Sequence, residues 1–304
     1  MTDGSHANNT LRYTIPLELN KCDRLRLRLL HLYYFKRTNF PYLSGDSFAK
    51  STDFIVSEKE IKKGLNLEKL SRANSIFVVS HIFEEFLSKY GEFVTAKTLI
   101  TGNSDFNFNK SYRLPNSITL WLCQNNGMSE NLIITTLPIG LQNLSYARSG
   151  RKKFHKPQDH FEITNRVLVP PMSLTNPIRM KIIDEALRRS DLFDVRIEYL
   201  PEKHYFELTR RYRFIFVCEG SGFENHRIWE CLYQNTFPIL IKSSWSISLE
   251  KLRLPILLID SLDQLTLDVL SEFERKNYSF DSRNTEILWM PFWQRSISSG
   301  LFDL

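Results

Sequence analysis

The sequence predicts an α/β protein of two domains, each a parallel sheet flanked by helices, with a cleft between them. Three observations carry the prediction. Short apolar runs rich in β-branched and aromatic residues recur along the chain, each the length of a strand buried on both faces. Helical patterns separate these runs, and such alternation calls for parallel strands joined by right-handed crossovers. A basic, turn-rich stretch, Arg148-Ser-Gly-Arg-Lys-Lys-Phe-His-Lys-Pro157, interrupts the alternation, which then resumes. At 304 residues the chain has room for two medium domains. The expected divisions are 1–155, 156–285 and a tail over 286–304.

Residues 1–12 are polar and expected to be loosely attached. Over 23–35, Leu25, Leu29, Leu32 and Tyr33 share one helical face, and Arg24, Arg26 and Arg28 fit a solvated edge better than a binding patch. Phe40-Pro-Tyr-Leu-Ser-Gly-Asp-Ser-Phe48 is rich in turn formers, with Asp46 beside a glycine. Two readings of Asp46 stand side by side: an Asx-type turn on its own backbone, or a carboxylate that handles substrate hydroxyls. Strands are expected over 75–80, 98–101, 118–123 and 133–140, with a helix over 81–89. Three of these strands run into polar turns holding Asn103-Ser-Asp105, Gln124-Asn-Asn-Gly127 and Gly140-Leu-Gln-Asn143. Open α/β sheets bind ligands at the C-terminal ends of their strands, and sugar hydroxyls need such mixed donors and acceptors.

The basic stretch reads as a linker or exposed loop; a solvated charge run and contact with an anionic acceptor or lipid headgroups both fit it. Arg166-Val-Leu-Val169 opens the second domain as a strand, and Pro177 starts a helix that runs to 189. Ser173, Asn176 and Arg179 fall at that junction. A strand over 193–199 and a helix over 201–211 lead to the most informative stretch of the chain.

That stretch is Tyr212-Arg-Phe-Ile-Phe-Val-Cys-Glu-Gly-Ser-Gly-Phe-Glu-Asn-His-Arg-Ile-Trp-Glu230. Residues 214–218 suit a buried strand, and Glu219-Gly-Ser-Gly222 breaks the pattern with glycines that permit a sharp turn and close approach of a ligand. Ser221 and Glu224 have the spacing of a capping box, so a helix is expected from there. Ile228 and Leu232 would share its buried face, and Arg227 and Glu230 a face toward solvent or ligand. A helix N-terminus attracts anions, and Arg227 adds a guanidinium suited to phosphate oxygens. Alternatively, the glycines and Ser221 serve only the turn, and Arg227–Glu230 is a surface ion pair. Strands over 237–241 and 254–259 and a helix over 262–275 complete the domain. The aromatic tail, Ile287-Leu-Trp-Met-Pro-Phe-Trp293, suits a helix docked across both domains better than one inserted in a membrane surface.

The net charge of +6 fits anionic substrates or surfaces. No nucleic-acid-binding signature accompanies it, so no nucleic-acid partner is expected. Cys22, Cys123, Cys218 and Cys231 contain no C-x-x-C pair, and Cys218 and Cys231 read as small core residues. No run approaches the ~20 apolar residues of a membrane span, and the N-terminus lacks a signal-peptide core. The expected location is the cytoplasm, peripheral to the membrane if the basic loop meets headgroups.

Glu219-Gly-Ser-Gly-Phe-Glu-Asn-His-Arg-Ile-Trp-Glu230, followed by Asn235-Thr-Phe-Pro-Ile-Leu-Ile241, resembles the C-terminal signature of exostosin-like glycosyltransferases. Gly220, Gly222, Glu224, His226, Arg227, Trp229, Glu230 and Pro238 fall on that signature. Ser221 stands where the family usually has Asn, and Asn235-Thr236 where it has a Gly-Cys-like pair. Leu254-Pro-Ile-Leu-Leu-Ile-Asp260 resembles the family's next strand, and a Ser-Gly-Asp motif like Ser44-Gly-Asp46 recurs near the N-terminus of its bacterial members. The specific match is confined to the second domain.

The resemblance implies a GT-B arrangement, two Rossmann-like domains across an interdomain cleft. It implies transfer of a sugar from a nucleotide-sugar, expected to be a UDP-sugar, to a glycan or glycolipid in surface polysaccharide synthesis. The C-terminal domain would bind the donor through Gly220, Ser221, Gly222, His226 and Arg227, with Glu219 or Glu230 on hydroxyls and Ser173, Asn176 and Arg179 facing the same crevice. The N-terminal domain would bind the acceptor, with Ser44, Asn103 and Asn125 assigned to it. Asp46 is the expected base of an inverting displacement and Asp105 the second choice. With no Asp-x-Asp motif, neither a metal nor a separate cofactor is expected. A non-catalytic nucleotide- or glycan-binding module on the same fold is the competing reading. An oxidoreductase or methyltransferase is disfavoured, since the glycine loop is not G-x-G-x-x-G.

Overall fold

The computed structural model describes residues 37–128, 133–146, 150–155 and 163–304. The segment 1–12, the helix expected over 23–35 with Arg24, Arg26 and Arg28, Cys22, and parts of the 148–157 stretch lie outside the described residues.

The chain forms two five-stranded sheets, with every strand pair parallel. The first contains β1 (Phe54–Val56), β2 (Ser75–Val79), β3 (Thr98–Gly102), β4 (Leu120–Cys123) and β5 (Ile134–Thr136), in the spatial order β1-β2-β3-β4-β5. The second contains β6 (Thr164–Val169), β7 (Phe193–Val195), β8 (Tyr212–Phe216), β9 (Phe237–Ile241) and β10 (Leu257–Ile259), in the order β10-β9-β8-β6-β7. The α/β class and the parallel strands are as the alternation predicts.

The two orders have different consequences. In the first sheet each strand lies beside its predecessor in one direction, so right-handed crossovers all return over the same face. That face carries Ile76, Val78, Leu99, Trp121 and Cys123, which pack with Phe83 and Phe86 of α4 (Phe83–Tyr90) and with Phe108. The other face, with Phe77, Ile100, Leu120 and Leu122, has no crossover helix of its own among the described residues. It is covered by α1 (Gly45–Ala49) through Phe48 and by the tail helix α10 (Met290–Ser299) through Trp293 and Ile297. Between them α2 (Glu58–Lys63) and α3 (Leu67–Leu70) are short connectors. In the second sheet the order reverses at β6, and helices cover both faces. On one side α5 (Ile178–Arg188) and α9 (Leu267–Lys276) pack on Val167, Val169, Phe214, Phe216 and Ile239. On the other, α7 (His226–Tyr233) and α8 (Ser244–Ser248) pack on Leu168, Ile215, Val217 and Leu240.

The tail joins the halves. The Leu43 N–H donates to Tyr233 Oη at 3.0 Å, and that hydroxyl donates to the Leu288 carbonyl at 2.5 Å. Met290 N–H donates to the Pro41 carbonyl at 2.8 Å, Thr98 Oγ1 to the Ile297 carbonyl at 2.9 Å, and Thr119 Oγ1 to the Gly300 carbonyl at 3.0 Å. Gly300 ends α10 with φ 73°, a conformation that glycine adopts without strain.

Several elements are shorter than expected. β7 stops at Val195 and leaves Ile197 and Tyr199 exposed, and β10 begins only at Leu257. The last helix of the second half starts at Leu267, because Thr266 caps it and 262–264 forms a separate 3₁₀ turn. β1, α1 and α8 escape the sequence reading: β1 is a three-residue edge strand, and the helices are five residues each, too short for a periodic signal. No helix among the described residues is long and apolar enough to cross a membrane.

Candidate functional site

The strand order reverses at β6, and the C-terminal ends of strands at such a reversal are where open α/β sheets bind ligands. The loops that follow these strands bring Ser173, Asn176 and Arg179 together with the 219–230 stretch, as the sequence predicts. Their roles are more structural than expected. Arg179, on the first turn of α5 and 4% exposed, donates from Nε to the Glu219 carbonyl at 2.8 Å and from Nη1 to the Ser173 carbonyl and, at 3.2 Å, to Ser173 Oγ. Asn176 Nδ2 donates to the Gly220 carbonyl at 3.3 Å. Arg179 and Asn176 thus hold the glycine loop by its backbone carbonyls, with Ser173 steadying the guanidinium. Gly220 N–H closes the loop on the Gly222 carbonyl at 3.1 Å. A Cβ at Gly220 would sit 3.2 Å from Arg179 Nη2, a tight fit that the guanidinium would have to relieve by a small shift.

α7 begins later than the Ser221/Glu224 spacing predicts. Asn225 is the N-cap: its Oδ1 accepts from Arg227 N–H at 3.0 Å, and its Nδ2 donates to the Cys218 carbonyl at 3.1 Å. Ser221 is exposed and makes no cap. Glu224 is buried, and its Oε1 accepts from Ile139 N–H at 3.0 Å and from Trp229 Nε1 at 2.6 Å. The capping box is therefore wrong. An Asn directly before His226 and Arg227 outcompetes it as the cap, and Glu224 is drawn away by the indole and by the other half's backbone. Burial pushes the Glu224 carboxyl up to about 8.

Arg227 and Glu230 do not form a solvent-facing pair. Both turn toward Tyr205 on α6 (Glu202–Thr209). Arg227 Nε donates to Tyr205 Oη at 2.7 Å, and the phenol in turn lies 3.3 Å from Glu230 Oε2. Arg227 Nη2 donates to the Pro171 carbonyl at 2.9 Å, and the guanidinium carbon lies 5.3 Å from the Tyr205 ring centre. Arg227 Nη1 makes no hydrogen bond among the described residues, and neither Arg179 nor Arg227 has a carboxylate within salt-bridge distance there. Burial lowers the affinity of Arg179 for its proton, and the like charge of Arg227 acts the same way against the Cys218 sulfur. Two guanidiniums thus share a crevice without a directly paired carboxylate. Glu219, next to them, has its carboxylate engaged by Trp245 Nε1.

The facing wall comes from the first sheet. Asp46, in the first turn of α1, donates its N–H to Asn143 Oδ1 at 2.9 Å, and Asn143 Nδ2 donates to Asn103 Oδ1 at 3.0 Å. Asn103 Nδ2 lies 3.5 Å from Asp46 Oδ1. Asn103 has φ 57°, and a Cβ at Gly45 would fall 1.6 Å from its Oδ1, so Ser44-Gly-Asp46 needs its glycine for this approach. Burial raises the Asp46 carboxyl above its ordinary range, with Lys50 and Asn103 opposing. Asp105 is exposed at the end of β3. Burial raises the Tyr146 phenol, and the charges of Asp46 and Asp105 add to that. Ser44 caps α1 through Ser47 N–H at 3.2 Å and is fully buried, paired with Gly140 along the backbone.

The halves interlock between these walls. Asn125, assigned to the acceptor from the sequence, is 2% exposed, accepts from Glu224 N–H at 2.8 Å and donates to the Ser104 carbonyl at 3.2 Å. A Cβ at Gly222 would lie 2.8 Å from Asn125 Nδ2. Phe223 N–H donates to Asn107 Oδ1 at 3.0 Å, and His226 Nδ1 bonds the Gly140 carbonyl at 2.8 Å. The sequence reading misses Tyr205, Asn143, Tyr146 and Trp245. Asn143 ends the third Asn-rich turn and was visible there; Tyr205 and Trp245 carry no local signal, because only the fold brings them to the crevice. No group of three or more His, Cys, Asp or Glu that could hold a metal occurs among the described residues. In comparisons with known proteins, no family model matches the chain, and no curated protein matches it.

Proposed function

We propose that the chain is a nucleotide-sugar-dependent glycosyltransferase, with the two sheets as the two domains of a GT-B arrangement. The observation that carries this reading is the pair of guanidiniums, Arg179 and Arg227, set without a paired carboxylate at the strand-order reversal of the second sheet. Such a site takes a diphosphate: two guanidiniums lie near each other, and Arg227 keeps one unused nitrogen for a phosphate oxygen. A UDP-sugar is the donor class proposed, and no metal or separate cofactor is invoked. The sugar would extend toward Asp46, Asn103, Asp105 and Tyr146, where a glycan or glycolipid acceptor presents its hydroxyl. As the glycosidic bond to the diphosphate breaks, the two guanidiniums receive the growing charge.

The test is a binding titration of the purified protein with UDP, GDP, CMP and NADH, repeated with Arg227→Ala. Selective binding of one nucleoside phosphate, lost in the variant, supports the donor site. Binding of none of them, or binding indifferent to Arg227, sinks it. One observation favours the alternative of a non-catalytic binding module: Ser44 and Asn125 are both buried and spent on the backbone. That reading predicts nucleotide binding without release of UDP from any UDP-sugar.

A further inference from the structure

We infer that His226 is the general base of the transfer and accepts the proton of the acceptor hydroxyl on Nε2. The inference rests on the reading of the Arg179–Arg227 crevice as the donor diphosphate site. His226 is the first residue of α7 and the chain neighbour of Arg227, so its backbone lies beside that site. Its ring is oriented from the other half of the molecule. Nδ1 lies 2.8 Å from the Gly140 carbonyl oxygen. A carbonyl can only accept, so Nδ1 carries the proton and Nε2 presents a lone pair. Nε2 makes no hydrogen bond among the described residues.

The Gly140 carbonyl is itself held. Ile139 N–H is bound by Glu224, and Leu141 N–H donates to the Leu43 carbonyl at 2.8 Å. Gly140 has φ 66°, and a Cβ there would lie 2.3 Å from Leu43 O, so the segment sits against that backbone and admits only glycine. The ring is therefore fixed in one tautomer and one orientation, as a base on a rigid frame needs to be. Burial pushes the imidazole below its ordinary range and keeps it neutral; the Gly140 carbonyl and Asp105 oppose this. Asp105 is the charged group that acts on the ring, and its carboxylate stabilises the imidazolium once formed.

In the step, the acceptor O–H proton passes to Nε2 while the oxygen bonds to the anomeric carbon of the donor sugar. The bond from that carbon to the diphosphate oxygen breaks, and its electron pair leaves with the diphosphate toward Arg227 and Arg179. The imidazolium then returns its proton to solvent. Asp46 has a different role. With its carboxyl beside Asn103 and its N–H on Asn143, it orients the acceptor hydroxyl.

The experiment uses the full chain, UDP, and UDP-glucose and UDP-N-acetylglucosamine with water as the acceptor. In His226→Asn the amide nitrogen replaces Nδ1 toward Gly140 while no base remains. UDP affinity is expected to stay within about threefold, UDP release to fall by roughly 10²–10⁴-fold, and the acid limb of the pH profile of kcat/KM to vanish. Asp46→Asn retains that limb. Release within about threefold of wild type in His226→Asn, or an unchanged acid limb, overturns the inference while leaving the donor site standing. A wild-type chain that neither binds UDP nor releases it overturns the donor site and the inference together. Should His226→Asn fail to fold, the nitrogen–proton correlation spectrum of the wild-type histidines decides: His226 must appear as the Nδ1–H tautomer, and an Nε2–H form overturns the assignment.

Discussion

The two sheets of this protein have the same strand number and the same parallel sense, yet one of them reverses its strand order and gathers Arg179 and Arg227 there. In the first, the order β1-β2-β3-β4-β5 never reverses. The polar residues at its strand ends bond one another and the other half: Asn103 to Asn143, Gln124 to Asn103 N–H, Asn125 to Glu224 N–H. In the second, the loops after β6 and β8 part on opposite faces and leave Arg179 and Arg227 between them. The difference teaches that topology, more than composition, decides where a parallel sheet can gather charge. The Asn-rich turns of the first half look as polar in sequence as the glycine loop of the second, but most of that polarity is consumed by the fold.

The comparison breaks most readily at the tail. α10 covers the face that one-directional crossovers leave bare, and Trp293 is its fully buried anchor, 5.7 Å from Phe48 and 5.4 Å from Phe302 by ring centres, with Nε1 on the Ile287 carbonyl at 2.7 Å. Trp293→Ala is expected to cost about 3–5 kcal/mol, read from denaturant midpoints. Amide exchange should rise first in β2 and β3, at Phe77 and Ile100, before β8 and β9. Equal acceleration in both sheets would mean that the halves unfold as one unit and that the contrast between them is only geometric.

Next in size is the charge in the crevice. Arg227→Ala should weaken UDP binding by about 1.5–3 kcal/mol, on the order of ten- to a hundredfold, through loss of a charge-assisted contact. Asn103→Ala, in the corresponding strand-end turn of the first sheet, should change it by less than about twofold. A comparable loss from Asn103→Ala would place nucleotide contacts on both walls and erase the distinction drawn between them.

Much of the architecture was legible because parallel strands buried on both faces write continuous apolar runs. Phe214 to Cys218 and Ile76 to Val79 are such runs, and both are strands or lead directly out of one. The ends of elements were less legible. Nothing in Arg196 to Tyr199 says that the β7 strand ends at Val195, since Ile197 and Tyr199 are good strand residues, yet both are exposed beyond it. In the site, residues at strand ends and in the glycine loop were found, including the distant Ser173, Asn176 and Arg179, whereas those reaching it from a helix elsewhere were not. Tyr205, which holds both Arg227 and Glu230, sits on a separate helix whose pattern gives no hint of that role. Asn125 was found for a role that its burial does not serve.

The seam between the halves has its own pH signature. Glu224 belongs to the loop of the second half but is buried against Ile139 of the first, and burial raises its carboxyl to about 8 from an ordinary 4.5. Between those values the folded chain keeps the proton and the unfolded chain has lost it. Stability therefore falls as pH rises through that window, by on the order of 1 kcal/mol per pH unit, and the contribution is intact below it. Thermal melts of wild type and Glu224→Gln from about pH 5 to 8 test this. The amide keeps the acceptor oxygen for Ile139 and Trp229, so the variant should lack the decline. Parallel curves for the two proteins would show that Glu224 is ionised in the folded state and that the seam is wetter than its burial implies.

The smallest expected effect separates two residues of the same loop. Asn225 caps α7 and ties the cap back to the Cys218 carbonyl, whereas Ser221 is exposed and caps nothing. Asn225→Ala should cost about 1 kcal/mol, and Ser221→Ala less than about 0.5 kcal/mol. The pair is informative because the spacing of Ser221 and Glu224 predicts the reverse. If Ser221→Ala were the costlier change, α7 would start one turn earlier in solution, Glu224 would be released from Trp229, and the loop would no longer be held between Asn125 and Arg179. With both costs as expected, His226 and Arg227 open the helix as its first two residues, which sets one toward the first sheet and the other into the crevice of the second.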